Sequence, residues 1–154
     1  MVGGAWGRAV GWRRLLGGLL ACWLVLGAAA VAAEARTTLT FWVFSDGLKN
    51  SFSRRLPAFQ TRYPDIDVEF VVMPFVEMHE KLVVALATGN VPDIAFVEIA
   101  FIAQVVGKYS HALEDLGGPP YNLRRIADQF VPYKIAQATA PDGRLVAIPH
   151  DIAP

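Results

Sequence analysis

The sequence holds a single cysteine, Cys22, close to its amino terminus. A disulfide framework and a thiolate metal site are therefore excluded, and stability must come from packing. Histidine is nearly as scarce. His79 falls inside an apolar helical stripe, where a packed side chain is expected, and His111 sits in a loop without a metal-ligand partner. No phosphate loop, Gly-x-Gly-x-x-Gly run, Gly-x-Ser-x-Gly elbow or His-Glu-x-x-His pair occurs, so nothing nominates a nucleophile and no cofactor or metal is expected. Internal repeats and low-complexity segments are also missing.

What is abundant is apolar: 54% of 154 residues, enough for one domain with an adequate core. Much of that excess lies in the first thirty-five residues, where Arg8, Arg13 and Arg14 precede an almost uninterrupted apolar run over 15–33. Ala33-Glu34-Ala35, or Val31-Ala32-Ala33 just upstream, supplies the small-x-small pattern of a signal-peptidase site. The division expected is 1–35 as a signal peptide and 36–154 as the working domain, exported to the periplasm or the outer face of the cytoplasmic membrane. A retained membrane anchor is the alternative, since the run approaches the roughly 20 residues that span a bilayer. Leu19-Leu20-Ala21-Cys22 is similar to a lipobox, although 23–33 stays apolar where a lipoprotein turns polar, and Arg13-Arg14 is similar to a twin-arginine signal.

After a cut at Ala35 the chain keeps 11 basic and 13 acidic residues. This mildly acidic balance offers no basic patch for a phosphate backbone, so nucleic-acid binding is not expected.

Residues 38–45 read TLTFWVFS and 66–73 read IDVEFVVM, short β-rich runs expected as strands. Between them Leu48, Phe52, Leu56, Phe59 and Tyr63 recur at helical spacing, with Pro57 forcing a kink or an early break. Val76, His79, Leu82, Val83 and Leu86 form the next stripe, closed by Gly89-Asn90. A third strand is expected over 94–97, then a helix carrying Ile99, Ile102, Val105 and Val106. Leu123, Ile126 and Phe130 suggest a further helix disturbed by Pro132, and Asp142-Gly143 turns into a fourth strand, RLVAIP. Such alternation predicts an α/β domain with a parallel sheet flanked by helices.

In such a sheet every strand-to-helix turn falls on the carboxyl edge, where ligands bind. Phe44, Ser45 and Asp46 follow the first strand, Phe75 the second and Glu98 the third. His150 and Asp151 follow the fourth and share the edge if that strand is parallel. Carboxylates accept paired hydroxyls and aromatic faces cover the apolar face of a sugar ring, so Asp46, Glu98 and Asp151 with Phe44, Phe75 and Tyr121 suit a polyhydroxylated ligand. The plainer readings are that Asp46 shapes a turn or caps a helix, that Glu98 favours a helix start, and that the aromatic rings are core or rim. Trp42 is expected in the core.

These residues resemble a family, the extracellular solute-binding proteins of family 1, which deliver solutes to ABC transporters. The likeness runs from Leu39-Thr40-Phe41-Trp42 through Tyr63-Pro64-Asp65-Ile66-Asp67-Val68. It continues with Lys81-Leu82 and the stretch Ala85-Leu86-Ala87-Thr88-Gly89-Asn90-Val91-Pro92-Asp93-Ile94, then 143–149. The resemblance implies a two-lobed periplasmic-binding-protein-like fold that closes on a sugar or oligosaccharide and docks on ABC permease subunits. By position it places Ser45-Asp46 and Glu98 in ligand loops and His150-Asp151 on the approach to the hinge. Because members run to several hundred residues, the chain is expected to be a partial first lobe, with the second lobe missing. Polyamines, glycerol phosphates and ferric iron are alternative solutes, iron being less suited for want of clustered tyrosines. An exported carbohydrate-active enzyme using the paired carboxylates, and a non-functional remnant, are the readings from other classes.

Overall fold

The chain divides between Ala35 and Arg36, and the computed structural model describes residues 36–150, all within the second unit. The expected leader, Cys22 and Asp151 lie outside the described residues.

Three parallel strands form the sheet, in the order β2-β1-β3. β1 (Thr37–Val43) runs in register with β2 (Ile66–Val72) from Thr37 opposite Ile66 to Val43 opposite Val72. β3 is only Ile94–Ala95, opposite Phe41 and Trp42. Alternation along β1 sends Phe41 and the fully buried Val43 to one face and Trp42, followed by Phe44, to the other. On the first face Phe41 meets Phe52 of α1 (Asp46–Ser53) at 4.9 Å between centroids. On the second, Trp42 and Phe44 pack on a core of Met73, Met78, Leu82, Leu86, Val105 and Tyr109. That core is carried mainly by α3 (Phe75–Thr88) and α4 (Ile99–Tyr109).

The helix expected across Leu48 to Tyr63 breaks at Arg54-Arg55, and α2 (Leu56–Arg62) restarts with Pro57 in its first turn. There the missing N–H costs nothing, because the first turn has no intrahelical acceptor for it. Gly89 ends α3 at φ 82°, a left-handed position that glycine fills without a Cβ penalty, and its N–H returns to the Ala85 carbonyl at 2.8 Å. The α3 stripe is Met78, His79, Leu82, Ala85 and Leu86. Val76, expected in it, is 57% exposed.

The fourth strand does not form. After the Asp142-Gly143 turn, Leu145 makes an isolated antiparallel bridge with Thr139, and the Val146 N–H bonds to the Ala138 carbonyl. A tight turn folds a segment back on its predecessor, whereas joining a parallel sheet needs a long crossover, so turn chemistry decides against strand four. Arg144 fixes this return. Its guanidinium donates to the carbonyls of Ser110 at 3.0 Å and Leu113 at 3.1 Å, just beyond α4, and to Asp142 at 2.8 Å. The helical pattern at 123–130 is a 3-10 helix, Leu123–Gln129, and Pro132 opens the short α5 (Pro132–Gln137).

Asp93, just before β3, ties that strand to the middle of β1. Its Oδ2 accepts both the backbone N–H and the hydroxyl of Thr40 at 2.8 Å, and the Asp93 N–H donates back to Thr40 Oγ1 at 3.1 Å. The Thr40 N–H first, then its hydroxyl, hold this carboxyl below its ordinary value of 3.8. A depressed carboxylate contributes stability that is complete above the unfolded value and lost as pH falls through the folded one. Asp93→Asn is therefore expected to flatten the loss of stability below pH 3.8. Thermal melts across the acid range check it, an unchanged acid limb being the contrary result.

Candidate functional site

Three strand ends deliver their turns to one edge, and the edge is aromatic. Phe44, one residue past β1, meets Phe75 edge-on at 5.0 Å and Phe96, just past β3, at 5.6 Å. Phe75, the first residue of α3, reaches Phe101 of α4 at 5.7 Å. His150 lies 5.1 Å from both Phe52 and Phe96, so it arrives at this edge although the strand expected to carry it is absent. Edge-to-face contacts of this kind add modestly to burial and fix ring orientation.

Ser45 and Glu98 begin helices. Ser45 is the N-cap of α1, its Oγ accepting the Leu48 N–H at 3.2 Å, so the cap falls to Ser45 and leaves Asp46 exposed in the first turn. Glu98 caps α4, Oε2 accepting the Ala100 N–H at 2.7 Å. Both are ordinary ways to satisfy orphan donors of a helix start. The second carboxylate oxygen of Glu98 takes no hydrogen bond among the described residues.

Beneath these loops lies His79, 1% exposed and the sole buried polar side chain among the described residues. Its Nε2 faces the backbone N–H of Glu98 at 3.1 Å, and Nδ1 faces the carbonyl of Phe75 at 2.7 Å. An amide N–H can only donate, so Nε2 must accept and Nδ1 must carry the proton. The ring stacks on Phe101 at 4.1 Å and 20°. The expectation of a packed histidine is met.

The structure thus brings Phe44, Phe75, Glu98 and His150 together around one edge, with Ser45 and Asp46 adjoining Phe44 in the chain; Asp151 lies outside the described residues. Tyr121, in the turn before the 3-10 helix, makes no ring contact with this cluster. Phe96, Phe101 and His79 were not candidates from the sequence. Phe96 carries a readable signal, as it stands directly after β3. A groove of about 420 Å³, lined by Trp42, Glu80, Lys81, Val84, Ala85, Thr88 and Asn90, sits along the carboxyl-terminal half of α3. No candidate ligand residue lines it, so the edge is preferred as the site on chemistry.

The description "bacterial extracellular solute-binding protein" matches residues 45–138. The chain belongs to that family. It is 34% identical over 86 residues to the arabinooligosaccharide-binding protein of Bacillus subtilis, covering 54% of this chain and 20% of that protein. The GacH receptor of Streptomyces glaucescens, solved unliganded and with acarbose, superposes with a TM-score of 0.57 at 25% identity, over 73% of this chain and 28% of the receptor. UspC of M. tuberculosis gives a TM-score of 0.57 at 21% identity, over 73% of this chain and 26% of its own. The chain thus matches about a fifth to a quarter of the length of its curated relatives. The α/β, periplasmic-binding-protein-like class expected from the sequence holds, as does the recognition of the family. Among the described residues no helix is long and apolar enough to cross a membrane.

Proposed function

We propose that this protein is the solute-capturing component of an ABC importer, binding a sugar or oligosaccharide outside the cytoplasmic membrane and handing it to a permease. Residues 36–154 supply part of the first lobe, and residues 1–35 are the export signal. The observation that carries the reading is the convergence of Phe44, Phe75, Glu98 and His150 on the carboxyl edge of a solute-binding-protein sheet. Rings there can cover the apolar face of a sugar, while the Glu98 oxygen that takes no hydrogen bond among the described residues and the exposed carboxylate of Asp46 can accept hydroxyls. Binding rather than catalysis is favoured because the curated relatives are named as binding proteins.

One experiment tests both parts. Protein is recovered from outside the cytoplasm, its amino terminus is read by mass spectrometry, and ligand-observed NMR follows titration with arabinotriose and with spermidine. The expected result is an amino terminus near residue 36 and saturable binding of arabinotriose. Retention in the cytoplasm defeats the export reading. Spermidine binding in preference to arabinotriose converts the site to a polyamine receptor, and binding of neither defeats the site.

A further inference from the structure

We infer that His79 is a positioning residue for the ligand edge, a neutral strut that sets the separation of the Phe75 loop from the Glu98 loop. The inference deepens the sugar-binding reading and rests on it for its ligand.

Phe75 and Glu98 come from different strand ends, nineteen residues of chain separating His79 from Glu98. No hydrogen bond between these two loops is present among the described residues other than through this ring. On one side Nδ1–H donates to the Phe75 carbonyl, in the first turn of α3. On the other, Nε2 receives the Glu98 N–H, the N-cap amide of α4, which has no acceptor within its own helix. The imidazole also fills the space between the rings, stacked on Phe101 and 4.8 Å from Phe75. A side chain with one donor and one acceptor at fixed separation is therefore clamped at both ends and on a face. The Phe75 ring and the Glu98 carboxylate inherit that geometry, the latter with one oxygen held by Ala100 and the other available to a hydroxyl. Small displacements matter here, because a ligand hydrogen bond weakens steeply as distance and angle depart from their optimum.

The amide of glutamine offers the same donor and acceptor at comparable reach, whereas phenylalanine keeps the ring and loses both bonds. The test compares the full chain with His79→Gln and His79→Phe. In the unsubstituted chain, nitrogen-15 shifts of His79 are expected to show a protonated Nδ1 and a bare Nε2. Exchange of the Glu98 amide is expected to be slow in that chain and in His79→Gln, and roughly tenfold faster in His79→Phe, the scale of one neutral hydrogen bond. Arabinotriose affinity is expected to divide the same way, nearly retained by His79→Gln and about tenfold weaker in His79→Phe.

A proton on Nε2, equal Glu98 exchange in all three proteins, or a His79→Gln as weak as His79→Phe overturns the inference. If the unsubstituted chain fails to bind arabinotriose, the sugar reading falls, and the tautomer and amide exchange still decide the strut. If His79→Phe does not fold, the tautomer and His79→Gln decide it.

Discussion

Met78→Ala is expected to lower the unfolding free energy by about 2–5 kcal/mol, while Val76→Ala on the same helix changes it by no more than about 0.5 kcal/mol. Met78 is fully buried among Met73, Leu82, Leu86, Val105 and Tyr109. Truncation there removes apolar contacts and leaves a cavity that the helix pair α3 and α4 cannot close without moving both backbones. Domains commonly hold only about 5–15 kcal/mol in total, so the loss is a large share of the whole. Val76 is more than half exposed and has little to lose. Urea titration of both variants reads the difference as a fall in midpoint at constant slope for Met78→Ala. Equal midpoints would show that this cluster is not the core of the lobe.

That pair also marks how far periodicity carries. A stripe at spacings of three and four locates a helix face but not the residues at its margins. The sequence alone put Val76, His79, Leu82, Val83 and Leu86 on the face, and only the packing against α4 shows that Met78 replaces Val76 and that Val83 is no more than partly buried. The alternation of strand and helix was legible because each element announces itself locally: β-branched and aromatic residues in 38–45, a proline that restarts α2, a glycine that ends α3. Strand four was not legible. RLVAIP reads as a buried strand, but only Leu145 and Val146 of it are buried and Ile148 is 55% exposed. The apolar pattern does not say which backbone such a segment pairs with, and here the Asp142-Gly143 turn returns it to Ala138 and Thr139 just upstream.

The site divides in the same way. Phe44, Phe75 and Glu98 were legible because a parallel sheet gathers its strand ends, an argument that needs topology only. His150 was reached by a premise that failed, a parallel fourth strand, yet it contacts Phe52 and Phe96. Phe101 and the role of His79 were invisible, since both depend on how α3 and α4 are rotated against one another. The motif residue Asp93 illustrates the converse. The sequence supplied the pattern, and the Thr40 bonds supply the reason for it.

Glu98→Ala is expected to weaken arabinotriose binding by about tenfold to a hundredfold, corresponding to a charged hydrogen bond of roughly 1.5–3 kcal/mol. It also removes the N-cap of α4, which costs about 0.5–2 kcal/mol of stability in its own right, so the alanine variant alone confuses two roles. Glu98→Ser separates them. A serine oxygen caps the helix as well as a carboxylate does, but it is shorter and uncharged and cannot reach a hydroxyl as the second oxygen of Glu98 can. Stability should therefore return in Glu98→Ser while affinity stays low. Asp46→Ala offers a cleaner case, because Ser45 already holds the cap and Asp46 contributes only its charge near the helix start, about 0.3–1 kcal/mol. Its affinity should fall on the same scale with little change in melting temperature. Titrations in parallel with thermal melts check the three variants. Undiminished affinity in both Glu98→Ser and Asp46→Ala would leave these carboxylates as parts of the helix starts and move the ligand site away from this edge.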